Sequence, residues 1–272
     1  MKFIAPNYWS TALFHQSKLF LDLNALFFLD QYNDWLTPKQ LTELLQPNTK
    51  TLSEHHIQFE PQPEVWTDSR YYEKYIYETG NVPTRPENWH DIFGALIWCL
   101  FPNTKALINK LHVEDIDTYG MKARTAKRNA ITLLDECGVI CAVSSDQHKV
   151  KQHLQQHRWL EGFYGNKSEW GSTIQPFMFG HANYEMGTKP FIGLTGKVLF
   201  VSVEDTFWQH SRNIQYQILD NHLMTLINEK DILASNSSFS PMPLLGIPGW
   251  HSEVQDEHFY KNTNYFRPKK SL

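Results

Sequence analysis

Three short stretches of this 272-residue chain carry side chains whose types and spacing could do chemistry. His90 and Asp91 stand near the start of an otherwise apolar stretch from Trp89 to Phe101. An ionisable pair in such surroundings costs several kcal/mol unless it is partnered or bound to a metal. Asp135 and Glu136 fall in the last turn of a helical pattern, where the helix dipole disfavours acids. The same pattern carries Arg124 and Arg128 one turn apart, a spacing at which like charges repel. His181 and Glu185, also one turn apart, can direct an imidazole and a carboxylate at one metal ion.

These patterns make His90, Asp91, Asp135 and Glu136 the candidate acids and bases, Arg124 and Arg128 a candidate anion clamp, and His181 and Glu185 candidate metal ligands. The chemistry they suit is hydrolysis or group transfer on a small anionic substrate, with the arginines holding charge and a carboxylate or histidine moving protons. A divalent metal is compatible with this set, although no complete ligand set can be read from the spacing. Each stretch also has a plainer explanation: a helix-start pair bonded to backbone, an arginine–carboxylate network, and a side-chain hydrogen bond. No phosphate-binding glycine loop, nucleophile elbow or His-Glu-x-x-His motif occurs.

The elements that must position these residues are mostly helical. Apolar residues repeat at helical spacing from about His15 to Tyr32, and Thr37-Pro38 opens a second helix through Leu45. A short strand is expected around His56 to Phe59, while Arg70 to Tyr77 fits a helix or an aromatic strand. Thr84-Arg85-Pro86-Glu87 matches a capping box, and Asn88 serves equally well as the cap of the helix carrying His90 and Asp91. Pro102 breaks that helix, and Asn103 to Val113 resumes it. Asp117 or Thr118 then caps a long helix to Cys137, with Gly138 expected in a left-handed position beyond its end. Val139 to Val143 reads as a buried strand, Asp146 to Trp159 as a helix, Pro176 to Met186 as a short helix, Gly196 to Val203 as a strand and Arg212 to Glu229 as a helix. From Pro241 onward periodicity vanishes while apolar residues persist, which predicts an ordered irregular C-terminal strap. The expected class is α+β, predominantly helical with a small sheet, over a single domain, residues 1–272.

Composition limits the function classes. Apolar residues make up 41% and aromatics 14%, enough for a packed core and too much for a disordered chain. A net charge of −4 gives no basic field to attract DNA or an anionic membrane, so nucleic-acid binding through Lys122 to Arg128 ranks last. The residues from Met1 to Asn7 lack the apolar core of a signal peptide, and the run from Leu19 to Leu29 is too short to span a bilayer. Three cysteines without Cys-x-x-Cys spacing suit a reducing compartment, so the chain is expected in the cytoplasm and not at a membrane.

Several blocks, taken together, resemble a known family. Trp89-His90-Asp91 with Ala95-Leu96-Ile97-Trp98, Phe101-Pro102, Lys105 and Asn109 to His112 form the first. Arg124, Arg128 and Thr132 to Glu136 follow, then Phe179-Gly180-His181-Ala182 and Glu185, and finally Pro243 to Trp250 and Tyr265-Phe266-Arg267-Pro268. In this order they resemble the bacterial family catalogued as domain of unknown function 3025. The resemblance covers residues 83–272 and leaves 1–82 as a less characteristic helical part. It implies a bacterial, cytoplasmic protein but no activity, cofactor or catalytic residue. Gly94 stands where that family usually has asparagine, and Asn129 where an aspartate often follows the arginine, which removes one carboxylate from a metal reading. The His90-Asp91 dipeptide alone also resembles the metal-binding pair of the HD phosphohydrolases. That would call for a histidine such as His55 or His56 and a distal aspartate such as Asp135, Asp146 or Asp205. The rival to an enzyme is an interaction module, in which the polar residues form a buried lock and Trp250, Phe259 and Phe266 offer an apolar patch to a protein partner.

Overall fold

The structure is a computed structural model that describes residues 3–251 and 253–269, so Met1 and Lys2 of the N-terminal stretch lie outside it. In chain order its regular elements are α1 Lys18–Phe27, α2 Pro38–Glu43, β1 Gln58–Pro61, α3 Tyr72–Thr79, β2 Asn81–Thr84, α4 Trp89–Leu100, α5 Pro102–Tyr119, α6 Ala126–Cys137 and β3 Gly138–Ser144. They continue with α7 His148–Gln155, β4 Ile174–Met178, α8 His181–Gly187, β5 Thr195–Val203, α9 Arg212–Lys230, β6 Ser240–Pro243 and α10 Glu257–Tyr260. The class is α+β and predominantly helical, with two small sheets where one was expected. One is the parallel pair β1–β2; the other runs β4-β3-β5-β6, with β3 parallel to β5 and the outer strands antiparallel.

Strand β3 is buried along its whole length, which explains why its sequence is continuously apolar instead of alternating. Its neighbour β4 corrects one expectation. Residues from Pro176 to Met186 are not one helix: Pro176 lies in β4 opposite Cys141, and the helix begins only at His181. An edge strand tolerates a proline because its outward face owes no ladder hydrogen bond.

Asn88 is the cap of α4, its side chain accepting from the Asp91 amide at 3.1 Å, so His90 and Asp91 occupy the first turn. Nine of the helix's twelve residues are buried, which its all-round apolar character requires. Helices α4 and α5 meet at Phe101 with a bend of 113°, and no single helix among the described residues is long and apolar enough to cross a membrane. The long helix expected from Asp117 to Cys137 is two helices. The first ends at Gly120 (φ 82°), and α6 starts at Ala126 with Thr125 accepting from the Arg128 amide at 3.0 Å. Gly138 is not left-handed but extended, and opens β3 directly.

Two devices fix how these elements meet. Helix α5 has no local side-chain cap; Asp220 of α9 supplies it, accepting from the Asn103 amide at 3.0 Å and the Thr104 amide at 2.8 Å. The start of α8 is seated on the end of α6. A Cβ on Gly180 would lie 2.5 Å from the Glu136 carbonyl oxygen and 2.6 Å from the Gly138 nitrogen, so only glycine fits. The Gly180 amide donates to Gly138 O at 2.8 Å, and the Asn183 side chain donates to Cys137 O at 3.0 Å. The C-terminal strap is ordered: the Tyr265 hydroxyl donates to Leu194 O at 2.6 Å and accepts from the Leu245 amide at 3.0 Å.

Asp220→Asn leaves one acceptor where the two amides need two. We expect it to lower stability by about 1–3 kcal/mol in urea unfolding, the usual cost of an unsatisfied buried donor. Gly180→Ala forces the α6–α8 seat apart, and we expect a loss of about 1–3 kcal/mol in the same measurement, as overpacking brings.

Candidate functional site

The seat at Gly180 decides which side chains share a space. His181, the first residue of α8, arrives beside Asp135 and Glu136 at the end of α6. Helix α4 packs across the same place, with Phe93 stacked on Tyr184 at 5.2 Å, and this brings in His90. The result is an open cleft of about 350 Å³ lined by His90, Asp91, Gly94, Trp98, Lys105, Asp135, Glu136 and His181, with Tyr72, Glu73, Thr84 and Arg85 closing it from α3 and β2.

At its centre the two imidazoles meet nearly edge to face, with His90 Nε2 2.9 Å from His181 Nε2. Each ring has a carboxylate behind it. His90 Nδ1 donates to Glu185 Oε2 at 3.1 Å, whereas His181 Nδ1 lies 3.8 Å from Asp135 Oδ1 and has no hydrogen-bond partner. Glu136 Oε2 comes within 3.6 Å of His181 Nε2. One ligand atom from each of His90, Glu136 and His181 lies within 4.8 Å of the other two, so these three could hold a metal ion. Glu185 is not in that group of three; its carboxylate accepts from His90 Nδ1.

The environment separates the proton affinities of these groups. Burial pushes the His181 imidazole down to about 4, against the pull of Asp135. Burial also works against a charged His90, but the hydrogen bond to Glu185 and the nearby Glu136 outweigh it and raise that imidazole. Glu136 is raised, first by burial and then by the Asp135 charge beside it. Burial would raise Asp135 as well, yet the Lys105 ammonium, 2.7 Å from Oδ1, with His181, brings it down to about 2. An imidazole kept neutral, one with a raised proton affinity and a carboxyl shifted upward in one cleft are the makings of acid–base chemistry.

Other residues singled out from the sequence lie elsewhere. Arg124 is exposed, and Arg128 is buried with Nη1 donating to the Met121 and Ala123 carbonyls at 3.1 and 3.0 Å and its guanidinium 5.2 Å from the Tyr71 ring. Neither arginine expected as an anion clamp lines the cleft, and Arg128 latches the turn between α5 and α6. The cations that do line it are Lys105 and Arg85. Asp91 faces the cleft, but it accepts from Arg85 Nη2 at 2.7 Å, Nε at 3.0 Å and the Arg85 amide at 2.7 Å, which ties β2 to α4. His55, His56, Asp146, Asp205 and Asn129 are not among the lining residues. Trp250 and Phe266 are buried, so the apolar patch of an interaction module is not presented by these rings. The sequence signal for Lys105 is its place in a first helical turn, where a lysine opposes the dipole just as Asp135 does in a last one.

The family described as "Protein of unknown function (DUF3025)" matches residues 57–270, and the chain belongs to it. The match begins upstream of residue 83 and takes in β1, α3 and β2; α3 supplies Tyr72 and Glu73 to the cleft, and Arg85 directly follows β2. No curated protein and no solved structure matches the chain.

Asp135 is a depressed acid, so its contribution to stability is complete above its ordinary value of 3.8 and is lost as the pH falls from there toward about 2. That loss is on the order of 2 kcal/mol. Asp135→Asn should therefore cost more at pH 7 than at pH 2.5. The gap in urea midpoint between the two proteins should narrow across that range; a gap independent of pH would show that Lys105 does not hold the carboxylate down.

Proposed function

We propose that this member of the DUF3025 family hydrolyses, or transfers a group from, a small anionic substrate bound in the cleft of His90, Glu136 and His181. The observation that carries the reading is the facing pair of imidazoles, each backed by a carboxylate, opening onto a space lined by two cations. His90 sits in a setting that favours its proton and can give it to a leaving group. His181 is kept neutral, and Glu136, with its raised carboxyl, lies beside it to take a proton from attacking water.

Positive charge comes from Arg85 and Lys105. Arg85 spends Nε and Nη2 on Asp91 and is half exposed, which leaves Nη1 for an anionic group. Lys105 is fixed against Asp135 with its ammonium 5.4 Å from the Trp98 ring, so its field reaches the cleft while its position does not wander. A reducing cytoplasm suits the reading: Cys99, Cys137 and Cys141 are free thiols, and burial raises Cys99 to about 12, leaving it no thiolate to react.

The test is a screen of phosphate monoesters, phosphate diesters and carboxylate-bearing esters and amides, with product release followed directly. With the substrate class that turns over, His90→Ala and Glu136→Gln should each reduce kcat/KM by about 10²–10⁴-fold, the usual worth of a positioned acid or base. Arg124→Ala should leave it unchanged. Turnover that survives both cleft substitutions would place the chemistry elsewhere and end this reading.

A further inference from the structure

The contact between the two histidines poses a problem of its own. In both rings Nδ1 is turned toward a carboxylate, Glu185 for His90 and Asp135 for His181. A neutral ring that carries its proton on that side presents a lone pair at Nε2, so the 2.9 Å approach of the two Nε2 atoms calls for a shared proton or a shared cation, and Glu136 adds a carboxylate oxygen 3.6 Å from one of them. Three electron-pair donors thus point into one small volume, and the buried Nδ1 of His181 has no hydrogen bond to settle its orientation. Around the rings, the carboxylates of Asp135, Glu136 and Glu185 face the single ammonium of Lys105, because Asp91 and Arg85 neutralise each other.

We infer that His90 Nε2, His181 Nε2 and the Glu136 carboxylate bind one divalent first-row transition metal, which this cleft presents to its substrate. Two imidazoles and a carboxylate on one face, with the remaining positions open, suit iron, manganese, cobalt or zinc rather than magnesium or calcium, which prefer all-oxygen sites. Metal–nitrogen bonds of about 2.05 Å meeting at a right angle put their nitrogens about 2.9 Å apart, whereas a tetrahedral angle would put them about 3.4 Å apart. The 2.9 Å separation, which a shared proton also gives, fits the right-angled arrangement, and that arrangement would leave positions open for water and a substrate oxygen. Glu185 acts as a positioning residue: it holds His90 by Nδ1, fixing the tautomer that offers Nε2 to the ion, while Asp135 stands 3.8 Å behind His181 Nδ1 without a hydrogen bond. A dication also balances the two formal negative charges left over around the rings. Bound there, it would lower the pKa of a coordinated water and supply the nucleophile.

This inference rests on the cleft of the proposed function and, where the ion is bound, makes His90 and Glu136 ligands in place of acid and base; binding can be measured without turnover. Tag-free full-length protein, stripped with chelator, is titrated with Zn²⁺ and with Co²⁺ by calorimetry, and the visible spectrum of the Co²⁺ form is recorded. One equivalent should bind, with a spectrum of mixed nitrogen and oxygen ligation. Half-exposed Glu136→Gln and buried His181→Ala should each lose that equivalent, with circular dichroism checking that the fold persists. Glu185→Gln should weaken binding about 10–100-fold without removing it, as loss of an outer partner does. Arg124→Ala should bind as the parent does. Absence of a stoichiometric ion, or binding that Glu136→Gln leaves intact, overturns the metal site. Turnover that continues in chelated protein does so as well, while leaving the proposed function standing. Binding with no turnover on any anionic substrate keeps the metal and ends the substrate reading.

Discussion

The close approach of Gly180 to the end of α6 is the contact on which the rest of the site depends. With no side chain at 180, the backbone before α8 lies flush on Glu136, Cys137 and Gly138, and the Gly138 carbonyl accepts both the Phe179 and the Gly180 amide. His181 therefore begins its helix at a fixed distance from Asp135 and Glu136. Gly138 repeats the device on the other side, since a Cβ there would lie 2.4 Å from Leu134 O. Helix, strand and second helix thus converge on a knot of backbone, and interiors packed at that density hold positions that loops cannot. Aromatic stacking through Phe93, Trp89 and Trp9 brings α4 against the same knot.

A second constraint is electrostatic. Lys105 sits at the positive end of α5, and Asp135 and Glu136 at the negative end of α6, so both helices carry the charge their dipoles oppose. Each local violation is answered by the other, because the two ends abut and Lys105 reaches Asp135. Part of the attraction in such a buried pair is offset by the desolvation of both groups. The pair's effect here is to hold a carboxylate ionised behind His181 in a place where burial would otherwise protonate it.

The sequence made much of the fold class legible, because strong signals are local: the apolar α4, the buried run of β3, the Thr-Pro start of α2 and the long period of α9. It failed where tertiary context overrides local pattern. Pro176 looked like a helix start because nothing in a sequence says that a strand will lie at a sheet edge. The break between α5 and α6 was hidden because the hydroxyl of Thr125 and the carboxylate of Asp115 pair only once the chain has turned. In the site, His90, Asp91, Asp135, Glu136 and His181 were visible as polar residues in the wrong local place, and the structure brings them to one cleft. Arg124 and Arg128 misled because spacing of like charges implies repulsion only if both face water, and Arg128 turns inward. Lys105 and Arg85 were passed over because each looks ordinary until its partner, thirty or six residues away, is known.

The histidines that touch are 91 residues apart in the chain, and His90 and Glu185 are 95 apart. No fragment that ends before Glu185 can hold the central group. During synthesis the nascent chain passes through most of its length with these polar side chains unpaired, and the cleft comes into being only when α8 emerges and seats on α6.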